Sequence, residues 1–469
     1  MIKTPRSLLL RIWREHLSLY SGQLFLALTF MGALAAAEVG FILATEWIFA
    51  GLEPERSTRF QSVTPQQVVV FGPIFVIGLA ILQAFFFYLQ AITAQGVGVS
   101  VLRDLQVRMY SAITAYDLSQ LKGRGGEGDS RLGGLVSRFT NDMTVLRESL
   151  RRVPNAARDV IRLIGFISVL AFLDPILFGC VLLIYPLIGF PITIIGKAIR
   201  RLARRVQGQI GDVTGLLTES LSGQEMIKSY RLEDHETERL AEAFDERRRL
   251  LMRLVRLRSA NEPIITIIAA VAVAFIIAVA ALRIEAGSLT GPELVAFLVA
   301  MALLSQPARG LGTLNAVLQE GLAAIERVFG VIDDEPRIID PSEPKALGIT
   351  VGSAPAIAFE GVDFAYEEDA PILKDFSLHI PRGSTVALVG PSGAGKSTVF
   401  GLLPRFYDRA SGTITIEGTG IEQVSLDDLR RSISVVSQTP ILFDVSVKEN
   451  IRLGQLDASD ADIEAAAKA

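Results

Sequence analysis

Six apolar stretches, all before residue 310, constrain the fold of this 469-residue chain more than any other feature. Each is close to the ~20 residues that an α-helix needs to cross the hydrocarbon core of a bilayer. The first is too long for a signal-peptide core and no cleavage-site pattern follows it, so we expect it to be retained. The sequence therefore predicts six transmembrane helices. They lie at residues 24–50, 68–94, 156–173, 176–196, 263–282 and 292–308.

The composition fits a membrane protein and narrows the chemistry that the chain can carry. Half of its residues are apolar and 20% are charged, against about 25% charged in an ordinary soluble domain. The near-balanced net charge of −4 gives no general support for a nucleic-acid partner, and none is expected. Cys180 is the single cysteine, and the three histidines are scattered at positions 16, 235 and 379. An intrachain disulfide is excluded, and a metal cluster of Cys or His is not expected.

Basic residues are distributed unevenly among the connections between these stretches. They are abundant at the N-terminus, between stretches two and three, and after stretch four, where residues 197–205 read KAIRRLARR. The other connections are short or mixed in sign. By the positive-inside rule, both ends of the membrane domain are predicted to face the cytoplasm. Residues 4–20 carry an apolar stripe at helical spacing, which predicts a helix in the membrane interface or, alternatively, a simple extension of the first membrane helix.

Two long connections, between stretches two and three and between stretches four and five, have roughly sixty residues each. Apolar residues in the second recur at every third or fourth position, which indicates helix. About 25 helical residues beyond the bilayer would project ~37 Å from it. We therefore predict two long helical hairpins, with the sequence ESLSGQEMIKSY (219–230) at the turn of the second.

The sequence GPSGAGKST (390–398) is the strongest chemical signal in the chain. It fits the phosphate-loop pattern G-x-x-x-x-G-K-[ST], follows the run TVALVG, predicted to be a strand, and precedes a predicted helix. Glycines let the loop turn its backbone N–H groups toward phosphate oxygens. Lys396 is placed to reach the β- and γ-phosphates, and Ser397 to offer a hydroxyl to Mg²⁺. The predicted nucleotide contacts in the loop are Gly390, Ser392, Gly393, Ala394, Gly395, Lys396, Ser397 and Thr398.

A phosphate loop alone leaves a kinase, a GTPase and a transport ATPase open, and the surrounding sequence distinguishes them. FEGVDFAY (359–366), ILKDFSLHIPRGSTVALVG and LDDLRRSISVVSQTPILFDVSVKENI closely resemble the ATP-binding domain of ABC exporters. The resemblance implies that Tyr366 stacks on adenine. It also implies that Gln438 is the glutamine of the Q-loop, which touches Mg²⁺ and faces the membrane domain. Lys396 and Gln438 are then the catalytic candidates.

The resemblance extends to the membrane half, where ESLSGQEMIKSYRLEDHE is similar to the second cytoplasmic turn of that family. It implies a half-transporter: an α-helical membrane domain of six transmembrane helices followed by an incomplete α/β P-loop ATPase domain. The expected partners are a second subunit, most simply an identical one, ATP, Mg²⁺ and a lipid or amphipathic substrate in a bacterial inner membrane. The expected segments are an interfacial helix at 1–20, a transmembrane domain at 21–329, a linker at 330–355 and the ATP-binding part at 356–469.

Within this class, lipid exporters of the lipid A type are the nearest resemblance, followed by multidrug exporters. The alternative of another class is a membrane-anchored nucleotide-binding protein that does not transport. An importer fits less well, because importers usually carry their membrane and ATPase domains on separate chains.

The motif LSGQ at Leu221–Gln224 is one glycine short of LSGGQ, the ATPase signature of that family. The family places its signature after the Q-loop, so LSGQ here is interpreted as a look-alike in which Gly223 turns the chain. No LSGGQ, no apolar strand ending in an Asp-Glu pair and no switch histidine follows Gln438, and His379 precedes the phosphate loop. We therefore expect residues 1–469 to be part of a longer reading frame, rather than a degenerate protein, and to be unable to hydrolyse ATP.

Two charged residues, Glu38 and Arg162, lie inside predicted membrane helices, where charge is costly and usually paired or functional. Counting along the helices puts both roughly 18 Å from the outer face. An ion pair is predicted, with a structural role favoured over contact with a charged substrate group. Weaker polar candidates are Gln83, Gln90, Gln95, Asn315 and Gln319.

Overall fold

The structure, a computed structural model, describes residues 5–52, 60, 63–122, 128–312, 314–348, 355–367, 370–438 and 440–469. The side chains at 5, 122, 128–131, 185–193, 261 and 367 are outside this description. The chain forms two compact units. The first combines Met1–Asp104 with Thr144–Ile325, and the second combines Leu105–Met143 with Glu326–Ala469.

Helices make up nearly all of the described chain before residue 333. In chain order they are α1 Pro5–Glu15, α2 Ser21–Leu52, α3 Pro65–Ala115, α4 Leu118–Lys122, α5 Gly128–Ser137, α6 Met143–Leu173, α7 Pro175–Ser222, α8 Gln224–Tyr230, α9 Glu233–Glu285, α10 Gly291–Gly312 and α11 Leu314–Ile332.

The six predicted membrane stretches lie in α2, α3, α6, α7, α9 and α10, the described helices of 22 residues or more. Among the described residues, four helical segments are long and apolar enough to cross a membrane: Leu17–Leu52, Pro65–Ala115, Glu233–Glu285 and Gly291–Ile332. The described side chains of α7 include the shorter apolar run Pro175–Ile184. The apolar half of helix α6 contains three charged residues, Arg158, Asp159 and Arg162. The predicted fold class of a helical membrane domain is confirmed.

The turn between α6 and α7 shows why these two helices form a hairpin. Asp174 accepts hydrogen bonds from the N–H groups of Ile176 (2.9 Å) and Leu177 (2.8 Å), with Pro175 in the first turn of α7. This is a favourable N-cap, since it satisfies N–H groups that the helix leaves unpaired. The same carboxylate forms an ion pair with Arg283 near the end of α9. One buried aspartate thus ties together three helices of the first unit.

The hydrophobic core of the first unit brings together side chains from α2, α6, α7, α9 and α10. Its fully buried members interlock at close packing, so that removing any of the large ones would leave a cavity. They include Ile42, Phe166, Leu170, Leu177, Ile276, Phe297 and Ala300.

The second long connection is a helical hairpin, as predicted. Helix α7 continues for 26 residues beyond its apolar part, and α9 returns alongside it. The first connection is less regular. Its outgoing leg is the end of α3, whereas its return leg is divided into α5, a π-helical turn at Arg138–Asp142 and α6.

Helix α1 is separated from α2 by a 3-10 turn at Leu17–Tyr20. Its buried side is formed by Leu8 and Ile12, whereas Trp13 is half exposed. The α-helix is therefore interrupted before the first membrane helix, which favours a separate N-terminal helix over a continuous extension of α2.

The second unit contains a four-stranded antiparallel sheet in the order β2-β1-β3-β4. Its remaining elements are β1 Ile357–Glu367, β2 Ala370–Ile380, α12 Lys396–Leu402, β3 Ser411–Ile416, β4 Thr419–Gly420, α13 Leu426–Arg431, α14 Val447–Arg452 and α15 Asp460–Lys468. In the β1–β2 pair, Phe359 lies opposite Leu378 and Phe364 opposite Leu373. These apolar side chains pack onto Val399 and Leu402 of α12. The phosphate-loop helix α12 therefore packs against this sheet.

The prediction of a strand at TVALVG is wrong for this structure. Residues 385–390 have no strand pairing, and Val389 is 89% exposed. The apolar run at 433–437 likewise forms no strand, and Val436 is 97% exposed. The physical reason is that an apolar run becomes a strand only when neighbouring strands complete its hydrogen-bond ladder, and the described residues pair with neither run.

Candidate functional site

The phosphate loop is held open by glycine backbone geometry at the start of α12. Gly393 and Gly395 adopt left-handed conformations, with φ of 83° and 81°. Gly395 is the N-cap of α12, and a Cβ there would lie 2.8 Å from Leu373 Cδ2. A Cβ at Gly393 would meet no atom within 4 Å. Gly395 is therefore required both by backbone conformation and by contact with β2, whereas Gly393 is required by conformation alone.

The side chain of Lys396 lies over the loop that precedes it. Its Nζ donates hydrogen bonds to the carbonyl oxygens of Gly390 (2.8 Å) and Pro391 (2.7 Å). The ammonium group is thereby kept at the mouth of the loop. An anion that entered the loop would meet a positive charge already in position, which is the arrangement that a phosphate site needs.

Tyr366, the predicted adenine partner, lies at the end of β1 beside α12. Its hydroxyl is 3.2 Å from Thr398 Oγ1, and its ring is 39% exposed. Thr398 is buried, so its side chain contacts Tyr366 rather than the open side of the loop. The structure therefore joins the predicted aromatic residue to the phosphate-loop helix through a side-chain contact.

Sequence reasoning missed the third ring in this cluster, Tyr407. Its ring is nearly perpendicular to that of Tyr366, with centroids 5.2 Å apart. Phe364 packs edge-on against Tyr366 and at a tilt of 60° against Tyr407. Burial, with a smaller contribution from Tyr366, raises the pKa of Tyr407. Tyr407 therefore stays neutral and limits the rotation of Tyr366. The only sequence signal for it was an aromatic pair, Phe406-Tyr407, at the end of the run TVFGLLPRFY, which was predicted to be the phosphate-loop helix.

The remaining predicted site residues are exposed. Ser392, Ala394 and Ser397 lie on the open side of the loop. Gln438 lies in an exposed bend, and among the described residues no hydrogen bond is recorded for its side chain. The structure thus groups Tyr366 with the loop residues, whereas the described residues show no hydrogen bond between Gln438 and the loop.

The donor set at the loop fits a nucleotide better than a protein-held metal. Two left-handed glycines, an ammonium group and the exposed Ser397 hydroxyl suit a phosphate chain. The described residues contain no group of three or more His, Cys, Asp or Glu that could hold a metal ion. A magnesium ion here would depend on Ser397 and on phosphate oxygens, since Mg²⁺ is usually bound by few protein ligands together with substrate phosphates.

The look-alike motif LSGQ lies where α7 ends and α8 begins. Gly223 separates the two helices with φ of −88°, a conformation open to other residues. A Cβ there would lie 3.3 Å from the carbonyl oxygen of Glu219. The chain does change direction at this glycine, as expected, but it does so without a left-handed backbone. Leu221, Met226 and Tyr230 leave an exposed apolar surface around the turn.

In the first unit, the predicted ion pair between Glu38 and Arg162 is present. Arg162 Nε lies 2.7 Å from Glu38 Oε2, and the two side chains are only 12% and 13% exposed. The predicted pair belongs to a larger cluster that sequence reasoning missed: Asp159 lies 3.9 Å from Arg162 Nη1 and 3.0 Å from Arg158 Nη2. The signal was the run ARDVIR, three charges within two turns of a predicted membrane helix.

The cluster also involves aromatic rings and a glycine. Arg158 lies over the ring of Phe87, and Arg162 over that of Phe166. A Cβ at Gly310 of α10 would overlap Asp159 Oδ2. Two guanidinium groups and two carboxylates therefore balance each other among α2, α3, α6 and α10.

Among the weaker candidates, Gln83 donates to the carbonyl oxygen of Ala37 at 3.3 Å, and Gln319 to Asn315 Oδ1 at 3.3 Å. Gln90 is buried, while no hydrogen bond is recorded for Gln95 among the described residues.

Comparison with known families finds two matches along the chain, one before the phosphate loop and one that includes it. Residues 20–308 match the family model described as the ABC transporter transmembrane region, and residues 373–469 match the model described as ABC transporter. The two matches lie in the order expected from the resemblance. The second begins in β2 and includes the whole phosphate loop.

Several relatives named ATP-dependent lipid A-core flippase align with most of the chain. The one from Desulfotalea psychrophila is 30% identical over 467 residues, covering 99% of this chain and 78% of the relative. Those from Syntrophus aciditrophicus and Chromohalobacter salexigens are 33% and 32% identical, over 81% and 84% of this chain. The chain spans 62% and 67% of the length of these two relatives.

The family matches, the long membrane helices and the geometry of the phosphate loop lead to one conclusion. The chain belongs to the ABC transporter family, in the exporter-type arrangement that joins membrane helices and an ATP-binding domain in one polypeptide.

Proposed function

We propose that this chain is one subunit of an ATP-driven exporter that moves a lipid or amphipathic molecule across a membrane. The observation that carries the proposal is the phosphate loop, with Lys396 at its mouth, in a chain that also has long apolar helices. ATP binding by the loop would drive the membrane helices between two arrangements. Transport would follow if the substrate binds the two arrangements with different affinity.

At the nucleotide, each predicted residue has a separate task. Lys396 would bind the β- and γ-phosphates, and the backbone N–H groups of residues 390–398 would surround them. Bound Mg²⁺ would neutralise phosphate charge, held by the hydroxyl of Ser397 and, on the evidence of the family resemblance, by Gln438. The exposed face of Tyr366 would stack on adenine, with Tyr407 and Thr398 fixing the orientation of its ring.

The proposed orientation in the membrane follows from the distribution of basic residues along the chain. Basic residues concentrate at the N-terminus and in the two long connections, so we place these and the ATP-binding domain on the cytoplasmic side. A bacterial inner membrane is the proposed location, since the relatives are bacterial lipid A-core flippases. We propose a homodimer as the working unit, because the family resemblance implies that this chain is a half-transporter.

The proposed substrate is a lipid of the lipid A type, with amphipathic drugs as the second choice. Support comes from the names of the relatives, which align with this chain at 30 to 33% identity. The buried cluster around Glu38 and Arg162 is balanced in charge, so we assign it a structural role rather than direct contact with a substrate phosphate.

We further propose that residues 1–469 alone bind ATP without turning it over. Hydrolysis by phosphate-loop enzymes needs a group that orients the attacking water. The family resemblance puts that group after the Q-loop, and the sequence between Gln438 and Ala469 contains no Asp-Glu pair at the end of an apolar strand.

Reconstitution tests the function directly. The protein expressed from its complete reading frame would be placed in lipid vesicles with fluorescent lipid A or with an amphipathic dye. We expect ATP-dependent movement of the lipid, abolished in Lys396→Ala. Movement of the dye alone would support a drug exporter. ATP binding without movement of either would support the alternative, a membrane-anchored nucleotide-binding protein.

A further inference from the structure

In the first connection, the side chains of Tyr116 and Asp117 form hydrogen bonds with the backbone at the end of α11 and in the segment that follows it. Asp117 Oδ2 accepts hydrogen bonds from the backbone N–H groups of Arg337 (2.6 Å) and Ile338 (2.9 Å). Tyr116 donates its hydroxyl hydrogen to the carbonyl oxygen of Val331 at 2.6 Å. Asp117 is only 8% exposed. A carboxylate that accepts two N–H groups in a buried setting holds this backbone in one position.

Gln120 completes this contact through both the nitrogen and the oxygen of its side-chain amide. Its Nε2 donates to the carbonyl oxygen of Glu335 at 3.0 Å, and its Oε1 accepts from the N–H group of Asp117 at 3.0 Å. The side chain is 1% exposed. Gln120 therefore fixes Asp117 and the exiting chain together.

These hydrogen bonds depend on the side chains of only one of the two partners. The first connection contributes side chains, whereas residues 331–338 contribute backbone atoms. An extended segment outside helices and strands has N–H and C=O groups that need partners when buried. Replacing Asp117 would remove two of these partners, but replacing the Arg337 side chain would remove none.

The same stretch continues into the ATP-binding part of the second unit. Leu426 N donates to Asp340 Oδ1 at 2.6 Å, and Lys345 N donates to the carbonyl oxygen of Gln423 at 2.7 Å. Arg405 Nη1 donates to the carbonyl oxygen of Ile339 at 3.3 Å. We call residues 331–345 the strap. It is bonded along its length, first to the connection and then to the nucleotide-binding part.

Arg405 brings the strap close to the phosphate-loop helix. It lies three residues after the end of α12, has a left-handed backbone with φ of 55°, and is buried. Its Nε bonds Asp408 at 2.8 Å, and Arg430 donates to the carbonyl oxygens of Pro404 and Arg405. A turn held this firmly would move with α12 as one body.

We propose that the strap carries nucleotide-dependent movement from the turn after α12 to the first connection, and that Asp117 is the positioning residue that engages it. The inference rests on the proposed function, because it requires ATP to bind beside α12. In this proposal, hydrogen bonds along the strap let it transmit movement, which a flexible linker without such bonds would not do. Arg327 supports it from α11, through a two-pronged contact with Asp142 at 2.6 and 2.9 Å.

Hydrogen exchange read by mass spectrometry tests the contact itself. In the complete protein we expect the amides of residues 337 and 338 to be protected. Asp117→Ala should speed their exchange by about tenfold or more, since hydrogen bonds to a charged group contribute that much. Asp117→Asn keeps an acceptor oxygen and should retain most of the protection. Arg337→Ala is the matched control and should leave both amides protected.

The same measurement with Mg²⁺ and a non-hydrolysable ATP analogue tests the coupling. In the parent protein, the analogue should change exchange in residues 116–122, and Lys396→Ala should abolish the change. Asp117→Ala should bind the analogue with unchanged affinity but lose the response of residues 116–122. If Asp117→Ala does not fold, Gln120→Ala provides the same readout.

The two possible failures are distinct. A parent protein that does not bind the analogue would overturn the proposed function. Binding without any response in residues 116–122, a full response in Asp117→Ala, or equal loss of protection in Arg337→Ala would each overturn the role of the strap.

Discussion

Arg162 of α6 donates its Nε–H to Glu38 of α2 across 2.7 Å, in a part of the chain where both side chains are nearly buried. The two residues are 124 positions apart in the sequence. Asp159 Oδ1 lies 3.9 Å from Nη1 of the same Arg162 and 3.0 Å from Arg158 Nη2. The pair is therefore the centre of a charge-balanced cluster, which explains how a membrane helix can contain three ionic residues within two turns.

We predict that Glu38→Gln or Arg162→Gln alone will destabilise the membrane domain more than the double substitution does. Removing one partner leaves a buried charge uncompensated, at a typical cost of about 3–5 kcal/mol, whereas removing both does not. Thermal unfolding of the two single variants and the double variant in detergent measures the coupling. Simple additivity of the two single effects would show that the residues do not act as a pair.

Lys396→Ala should weaken ATP binding by about 10- to 100-fold, because it removes the ammonium group at the mouth of the phosphate loop. In the part of the chain that the structure describes, the side chain bonds the carbonyl oxygens of Gly390 and Pro391 within its own loop, so membrane insertion and folding should be unaffected. Titration with a fluorescent ATP analogue measures the affinity. Unchanged affinity would contradict the assignment of the loop.

Tyr366→Ala should weaken ATP and ADP to a similar extent, by about 1–3 kcal/mol, because stacking on the base does not depend on the number of phosphates. Tyr366→Phe is the matched control. It loses the contact with Thr398 but keeps the ring, so its affinity should stay close to that of the parent. Calorimetric titration with both nucleotides measures the effect, and a large difference between ATP and ADP in the alanine variant would place Tyr366 away from adenine.

Gly395→Ala should be more damaging than Gly393→Ala. Both glycines have a left-handed backbone, which costs a non-glycine residue roughly 1–2 kcal/mol. At Gly395 the new methyl group would also press on Leu373 and Ile372, whereas at Gly393 it would meet open space. Gly395→Ala should therefore lower the unfolding temperature and the ATP affinity more than Gly393→Ala does. Equal effects of the two substitutions would mean that contact with β2 does not matter.

Gly223→Val should impair transport and the stimulation of ATPase by substrate, while basal hydrolysis survives in the complete protein. Gly223 joins α7 to α8, so a branched residue would disturb the turn close to the Glu219 carbonyl without touching nucleotide. Phosphate release with and without substrate measures both activities. Loss of basal hydrolysis would mean that LSGQ contacts the nucleotide after all.

Residues 1–469 by themselves provide a control for the interpretation that LSGQ does not contact the nucleotide. They should show no multiple-turnover phosphate release, whatever residue stands at 222 or 223. Sustained release that depends on Lys396 would reveal a catalytic group outside the predicted set and would reopen the interpretation of LSGQ.

The predicted membrane stretches, the second helical hairpin and the phosphate loop could be recognised from the sequence because each is encoded locally. A membrane helix needs only a long enough apolar run, and a phosphate loop needs glycines and lysine at fixed spacing. The run TVALVG shows the limit of this approach. Its composition suits a strand, but a strand needs a neighbour, and residues 385–390 have none among the described residues.

The sequence by itself determined that the chain has membrane helices followed by a nucleotide loop, since apolar length and glycine spacing act over a few turns of chain. It also suggested the Glu38–Arg162 pair, because depth in a membrane can be counted along each helix. Only the tertiary structure revealed Tyr407 beside Tyr366, Asp159 between two arginines, and Asp117 on the backbone of Ile338, 221 residues away. Such contacts depend on which distant segments the fold brings together, and a carboxylate that binds backbone N–H groups leaves no pattern in the side chains of its partner.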